Sequence, residues 1–265
     1  MFPWQPLVWV LAGAAIAMTA TWWLQLRTRN AGYVDVAWAA LMGAAALFYG
    51  AVGMGAATPR LLVAMLGGIW GFRLSLHLLA RVLHESEDGR YRHLREHWHD
   101  DQRKFLAFFL GQAVLTGLFS VPFLTVANNP VTGFTWWSLA GVAVWTLALG
   151  GETLADAQLA QWRKQAAHRG RTCRAGLWRY SRHPNYFFEW LHWFAYVLLA
   201  VGSPWWVWSL LGPLLMGASL LWVTGIPFTE AQSLRTRGED YRAYQREVSM
   251  FFPWFPKSQG LGTRD

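Results

Sequence analysis

Charge is the first thing this sequence lacks. Asp, Glu, Lys and Arg make up only 14% of its 265 residues. A soluble domain of this size carries about 25%. With 54% hydrophobic residues, a soluble fold would have too little polar surface, so much of the surface is expected to face lipid. Cysteine is nearly absent as well. Cys173 stands alone, which excludes an intrachain disulfide. No G-x-G-x-x-G occurs, which removes the fingerprint of a soluble dinucleotide-binding domain. Tandem repeats and low-complexity segments are missing. The N-terminus has neither a basic n-region nor a small-residue cleavage pattern, so it reads as a retained span and not as a signal peptide.

What is present is a series of long apolar runs. A membrane-crossing helix needs roughly 20 mostly apolar residues. Runs of that kind fall at about 6–26, 34–54, 61–81, 105–127, 135–156, 184–202 and 205–225. The expected fold is therefore all-α and polytopic, with about seven transmembrane helices. The net charge of +8 is sorted by loop, which speaks for topology and against nucleic acid. Arg27 and Arg29, the cations between Arg81 and Lys104, those between Arg163 and Arg182, and the tail from Arg235 through Lys257 to Arg264 all fall on one side. Arg60 is alone on the other. Lys and Arg collect on the cytoplasmic side. The N-terminus is thus expected outside and the C-terminus in the cytoplasm, in the inner membrane of a bacterium-like cell.

Several ionisable residues fall inside these runs. Asp35 opens the second. Arg73 and His77 lie four residues apart in the third, with Trp70 one turn before Arg73. Glu152 and Asp156 share a face of the fifth, and Glu189 and His192 lie in the sixth. Charges at membrane depth cost several kcal/mol unless paired or bathed by water, which marks them as functional candidates. Their common position in the cytoplasmic half reads as the lining of one cavity open to the cytosol.

The stretch "LWRYSRHPNYFFEWLHWF" (177–194) joins loop to span. Pro184 suits a first helical position, and Asn185, Glu189 and His192 then share a face. Arg171, Arg174, Arg179 and Arg182 lead into that helix N-terminus. Free N–H groups and guanidinium forks both suit phosphate. The tail, "TEAQSLRTRGEDYRAYQREVSMFFPWFP" (229–256), is polar and helical in propensity, with its aromatic end expected at the membrane interface.

"LWRYSRHPNYFFEWLHW" and "GEDYRAYQREVSMFFPWFP" resemble the C-terminal half of the steroid 5-alpha-reductase superfamily. "RNAGYVDVAW" and "WGFRLSLHLLARVLHESEDGRYRHLREHW" resemble the N-terminal half of its bacterial branch of uncharacterised membrane proteins. The resemblance covers roughly residues 27–256. It implies one integral membrane domain over 1–265, with a substrate side in 1–130 and an NADPH-binding half in 131–265. It implies NADPH as cofactor, lined by Arg179, His183, Asn185, Tyr186, Tyr241, Tyr244 and Arg246. Arg171, Arg174 and Arg182 would meet its phosphates. The chain departs from the family in three places. The Gln-Glu pair that holds an enone carbonyl is missing, Trp70 stands where a Tyr is usual, and Phe188 precedes Glu189 where Gly is usual. Asp35 is the nearest acidic substitute for the missing Glu.

The resulting expectation is a membrane oxidoreductase that acts on a CH–CH bond with NADPH. It would reduce a C=C bond in a lipid-soluble, hydrophobic small molecule (steroid-like, isoprenoid or fatty-acyl), with membrane lipid around it. Such chemistry needs a hydride and an acid beside the atom that becomes negative. Glu189, Asp35 and Glu152 are the candidate acids. His77 and His192 are candidate relays, and Trp70 lines the substrate side. A competing expectation is an S-adenosylmethionine-dependent lipid or isoprenoid methyltransferase on the same scaffold, with Glu230 as its acid. The His93, His97 and His99 cluster has one metal-like spacing, but a di-iron desaturase needs several histidine boxes, so no metal is expected. A pump or channel would leave the basic loop before 184 without a role.

Overall fold

The computed structural model describes residues 3–223 and 225–257. Arg264 of the basic tail lies outside them. Among the described residues the protein is all-α, with no strand. Six helical stretches there are long and apolar enough to cross a membrane: Trp4–Thr28, Tyr33–Val52, Ala57–His84, Gln102–Ala127, Trp136–Lys164 and Trp206–Arg237. The protein is thus a multi-pass membrane protein with lipid around it. The run expected at 184–202 forms a helix of 16 residues, Pro184–Leu199. At 1.5 Å per residue it is about 24 Å long, against about 30 Å for a bilayer core.

The chain forms two compact units. One comprises residues 1–141 and 196–212, the other 142–195 and 213–265. In the first unit, α1 (Trp4–Thr28), α2 (Tyr33–Val52), α3 (Ala57–His84), α4 (Gly89–His97) and α5 (Gln102–Ala127) follow in order. Helices α2 and α3 approach closely through small residues. A Cβ on Gly71 would come within 2.5 Å of the Gly43 backbone, and one on Gly67 within 2.5 Å of Ala46. Small residues let backbones meet where lipid supplies no hydrophobic drive between helices. A buried cluster then ties α1, α2, α4 and α5 together: Met18, Val34, Tyr91, Phe105 and Phe109. Asp88 and Asp101 cap α4 and α5, each accepting from a backbone N–H two residues on at 2.9 Å. At the other end of this unit, Asn129 binds the carbonyls of Leu199 and Val201, both at 3.0 Å. The turn after Leu199 passes through Gly202 at φ +96, the left-handed region that glycine favours.

The second unit holds most of α6 (Trp136–Lys164) and α7 (Pro184–Leu199), then α8 (Leu211–Ala218), α9 (Ile226–Arg237) and α10 (Glu239–Glu247). A π-turn, Ser219–Val223, follows α8. Gly151 of α6 lies against the Phe188 ring, where a Cβ would clash. One turn on, Asn185 Nδ2 donates to Asp156 Oδ1 at 3.0 Å. These two contacts fix α6 and α7 as antiparallel neighbours. Gln158 accepts from Leu177 N at 2.8 Å, and Trp178 Nε1 donates to Ala155 O at 2.9 Å. The loop between the helices is thereby fastened back onto α6.

Candidate functional site

The sequence candidates divide between the two units. Asp35, Trp70, Arg73 and His77 belong to the first. Asp35 accepts from Tyr91 Oη at 2.6 Å and from Arg90 Nη2 at 3.2 Å. Two donors, one of them cationic, thus tie this side chain of α2 to α4. Its neighbours are tuned to match. Burial, and then the Asp35 charge, push the Tyr91 phenol well above its ordinary value. Burial opposes the Asp88 carboxylate, but bonds and charge from Arg90, with Arg81, outweigh it and lower Asp88. Trp70 is fully buried, edge-on to Trp38 at 6.1 Å. That is a packing position, and it gives Trp70 no open face toward a substrate. His77 lies exposed on α3.

In the second unit, Glu152, Asp156, Asn185 and Glu189 come from adjoining helices. The antiparallel register set by 156/185 and 151/188 puts Glu152 and Glu189 in the same layer. Both are half-buried. His192 lies one turn further along α7 and is buried. Tyr186 stacks on His183, with ring centroids 5.4 Å apart and planes 7° from parallel.

Glu230 on α9 is the hub of the loop side. Its Oε1 accepts from Arg182 Nε at 2.7 Å, faces His183 Nε2 at 3.3 Å and accepts from Tyr241 Oη at 3.3 Å; its Oε2 accepts from Gln245 at 2.8 Å. Arg182 also donates to the carbonyls of Gln245 and Val248. The Arg182 and Glu230 side chains are 10% and 15% exposed. Arg182 is thus consumed by the fold and is not available to a phosphate. Arg174 is similarly engaged by Glu247 at 2.7 Å. Tyr244 is buried and donates to the carbonyls of Trp178 and Ser181, so its hydroxyl clamps the loop and does not face a ligand. Burial lowers the His183 imidazole by more than Glu230 raises it. Burial and then Glu230 push Tyr241 up to about 12. Arg179 and Arg246 are exposed, with Arg246 paired to Glu239 at 2.9 Å.

A basic cleft of about 320 Å³ opens beside this hub. Arg163, Arg169, Arg171 and Arg237 line it, with Trp162, His168 and Cys173. Trp162 and His168 stack face to face, 3.5 Å between centroids and 9° apart. Among the described residues, no carboxylate pairs with Arg163, Arg169 or Arg171. Burial raises the Cys173 thiol, so it stays protonated. Sequence reasoning found only Arg171 here. The others were legible as loop cations, but the signal that separates them, freedom from carboxylates, is a property of the fold. On α4, His93 and His97 stack at 6.3 Å, and no group of three or more metal-ligating side chains is gathered among the described residues.

Comparison with known proteins adds one finding. No curated protein and no solved structure matches the chain. A family described as proteins of unknown function, DUF1295, matches residues 21–248, most of both units and all of the hub. The chain belongs to the DUF1295 family.

Proposed function

We propose that this protein is an NADPH-dependent membrane reductase of a C=C bond in a lipid-soluble substrate, related to the steroid 5-alpha-reductase superfamily. The observation that carries the reading is the cleft itself. Guanidinium groups bind phosphate through parallel N–H donors, and Arg163, Arg169 and Arg171 have no carboxylate competing for theirs. The Trp162–His168 stack adds a flat aromatic surface of the kind a nucleobase packs against. The donor set therefore suits a phosphate-rich dinucleotide. When bound, NADPH supplies the hydride.

The chain's own residues have distinct tasks in this reading. The arginines hold phosphates. Asn185, anchored by Asp156, presents a fixed amide at the start of α7. Glu152 and Glu189, in one layer, are the groups that would hold a proton for the carbon that does not receive hydride. Asp35, already bound by Arg90 and Tyr91, recedes from that role. The loop charges support a cleft on the cytoplasmic side of an inner membrane, with the N-terminus outside. In this reading α7 and the turn after it form a seventh, short crossing.

The methyltransferase reading needs Glu230 as a free acid. Both of its oxygens are taken by Arg182, His183, Tyr241 and Gln245, which weighs against it. Thermal shifts of the detergent-purified protein separate the two. NADPH should stabilise it, with the shift growing with concentration, and S-adenosylmethionine should not. Stabilisation by S-adenosylmethionine alone would reverse the assignment. Replacing Arg163 and Arg171 together by Ala should weaken NADPH binding at least about tenfold, the scale of losing charge-assisted bonds.

A further inference from the structure

The segment after α10 is neither helix nor loose tail. Residues 249–257 are stitched to the turn before α7 and to the end of α10. Arg182 N donates to Ser249 O at 2.9 Å, Ser181 Oγ to Phe251 O at 2.9 Å, Trp254 N to Tyr180 O at 2.8 Å, and Lys257 N to Glu247 O at 2.9 Å. Pro253 and Pro256 carry no N–H at all. Four backbone groups of the segment, the N–H of Trp254 and Lys257 and the carbonyls of Ser249 and Phe251, are thereby bonded within the protein, which fixes its path.

Its side chains divide sharply. Phe251 is buried against Phe187 and Trp190, at 5.9 and 5.7 Å between ring centroids. Phe252, Trp254 and Phe255 stand out at 58%, 72% and 76% exposed. Three large aromatic rings held outward by a pinned backbone form a surface that water disfavours. Two exposed cations are close in the chain: Lys257 at the end of the segment, and Arg179 next to Tyr180, whose carbonyl Trp254 binds. Aromatics flanked by cations are the chemistry of the membrane–water interface. The α7 helix supplies the second argument. It is about 24 Å long, short of the bilayer core, and the aromatic segment packs on its first turn. Rings placed there extend the apolar surface where the helix falls short.

We propose that residues 249–257 form an interfacial anchor, with Phe252, Trp254 and Phe255 seated in the headgroup layer of the bilayer that the helices cross. Anionic headgroups are the preferred neighbours of Arg179 and Lys257. The anchor also fixes the turn at 180–182, which follows the cleft-lining loop in the chain. This proposal does not depend on the cofactor assignment.

The test uses the full chain in liposomes. In a Cys173→Ser background, Trp254→Cys is labelled with an environment-sensitive fluorophore, with Phe255→Cys as a second site in case the first variant folds poorly. Arg235→Cys, exposed in the polar last turn of α9, is the aqueous control. Quenching is measured with iodide in the buffer and with spin-labelled lipids carrying the label near the headgroup or deep in the chain. The expected result is iodide quenching at least about threefold weaker at 254 and 255 than at 235, with the shallow lipid label the stronger lipid quencher. Adding anionic lipid should strengthen the lipid quenching. Equal iodide access at all three sites overturns the proposal. So does protection from both quenchers at 254 and 255, which would place another protein surface over the rings.

Discussion

Removing the Glu230 carboxylate should be the most damaging conservative change in the loop side of the second unit. Glu230→Ala leaves Arg182, whose side chain is 10% exposed, as a buried charge without its carboxylate. Breaking such a pair costs about 3–5 kcal/mol. Bonds from Tyr241 and Gln245 are lost with it. For a protein of this size, 1 kcal/mol moves the midpoint by about 2–4 °C, so the expected fall in apparent Tm is on the order of 10 °C. Intrinsic tryptophan fluorescence on heating in detergent reads it directly. A double-mutant cycle with Arg182→Met sharpens the test. If the cost of the single changes is an orphaned partner, the double variant should be more stable than Glu230→Ala alone. Two additive single effects, or a shift under about 2 °C for Glu230→Ala, would refute the claim that this pair holds the loop. Retained NADPH binding in a folded Glu230→Gln variant would further separate the hub from the cleft.

Three other outcomes follow from the geometry. Gly151→Leu should cost about 1–3 kcal/mol by overpacking against Phe188, and Phe188→Ala should recover much of the loss in the same thermal assay. Tyr244→Phe removes the donor shared by the Trp178 and Ser181 carbonyls, at a cost of about 1–3 kcal/mol, with faster proteolysis in 171–183 as a second readout. Stability should fall in two steps on acidification. His183 is lowered from 6.5 in the fold, so the unfolded chain binds more protons and stability is lost as pH drops below about 6.5. Asp88, Asp100 and Asp240 are lowered from 3.8, so their contribution is present above that value and goes as pH falls further. His183→Gln should erase the first step and leave the second.

The membrane character was plain in the sequence because it depends on local composition. The spans over α1, α2, α3, α5 and α6 follow from runs of apolar residues, and the break at Gly238 between α9 and α10 from one glycine at φ +53. The length of α7 was not legible. Its apolar run continues to 202, but the helix ends at Leu199 and the chain turns through Gly202. The candidate site was legible only as a set of types. Asn185 and Asp156 could be named, but their contact depends on the meeting of α6 and α7 at Gly151 and Phe188.

The basic loop shows the division most clearly. Sequence by itself determined that arginines would crowd the segment before α7, because topology sorts Lys and Arg by loop. It could not say which were free. Arg182 and Arg174 find their carboxylates 48 and 73 positions away, on Glu230 and Glu247. Those pairs form only when α9 and α10 fold back onto the loop. The arginines left over, Arg163, Arg169, Arg171 and Arg179, are those to which the fold brings no carboxylate among the described residues. Charge is written in the chain; whether a charge is already neutralised is decided by what the tertiary structure places within a few ångströms of it.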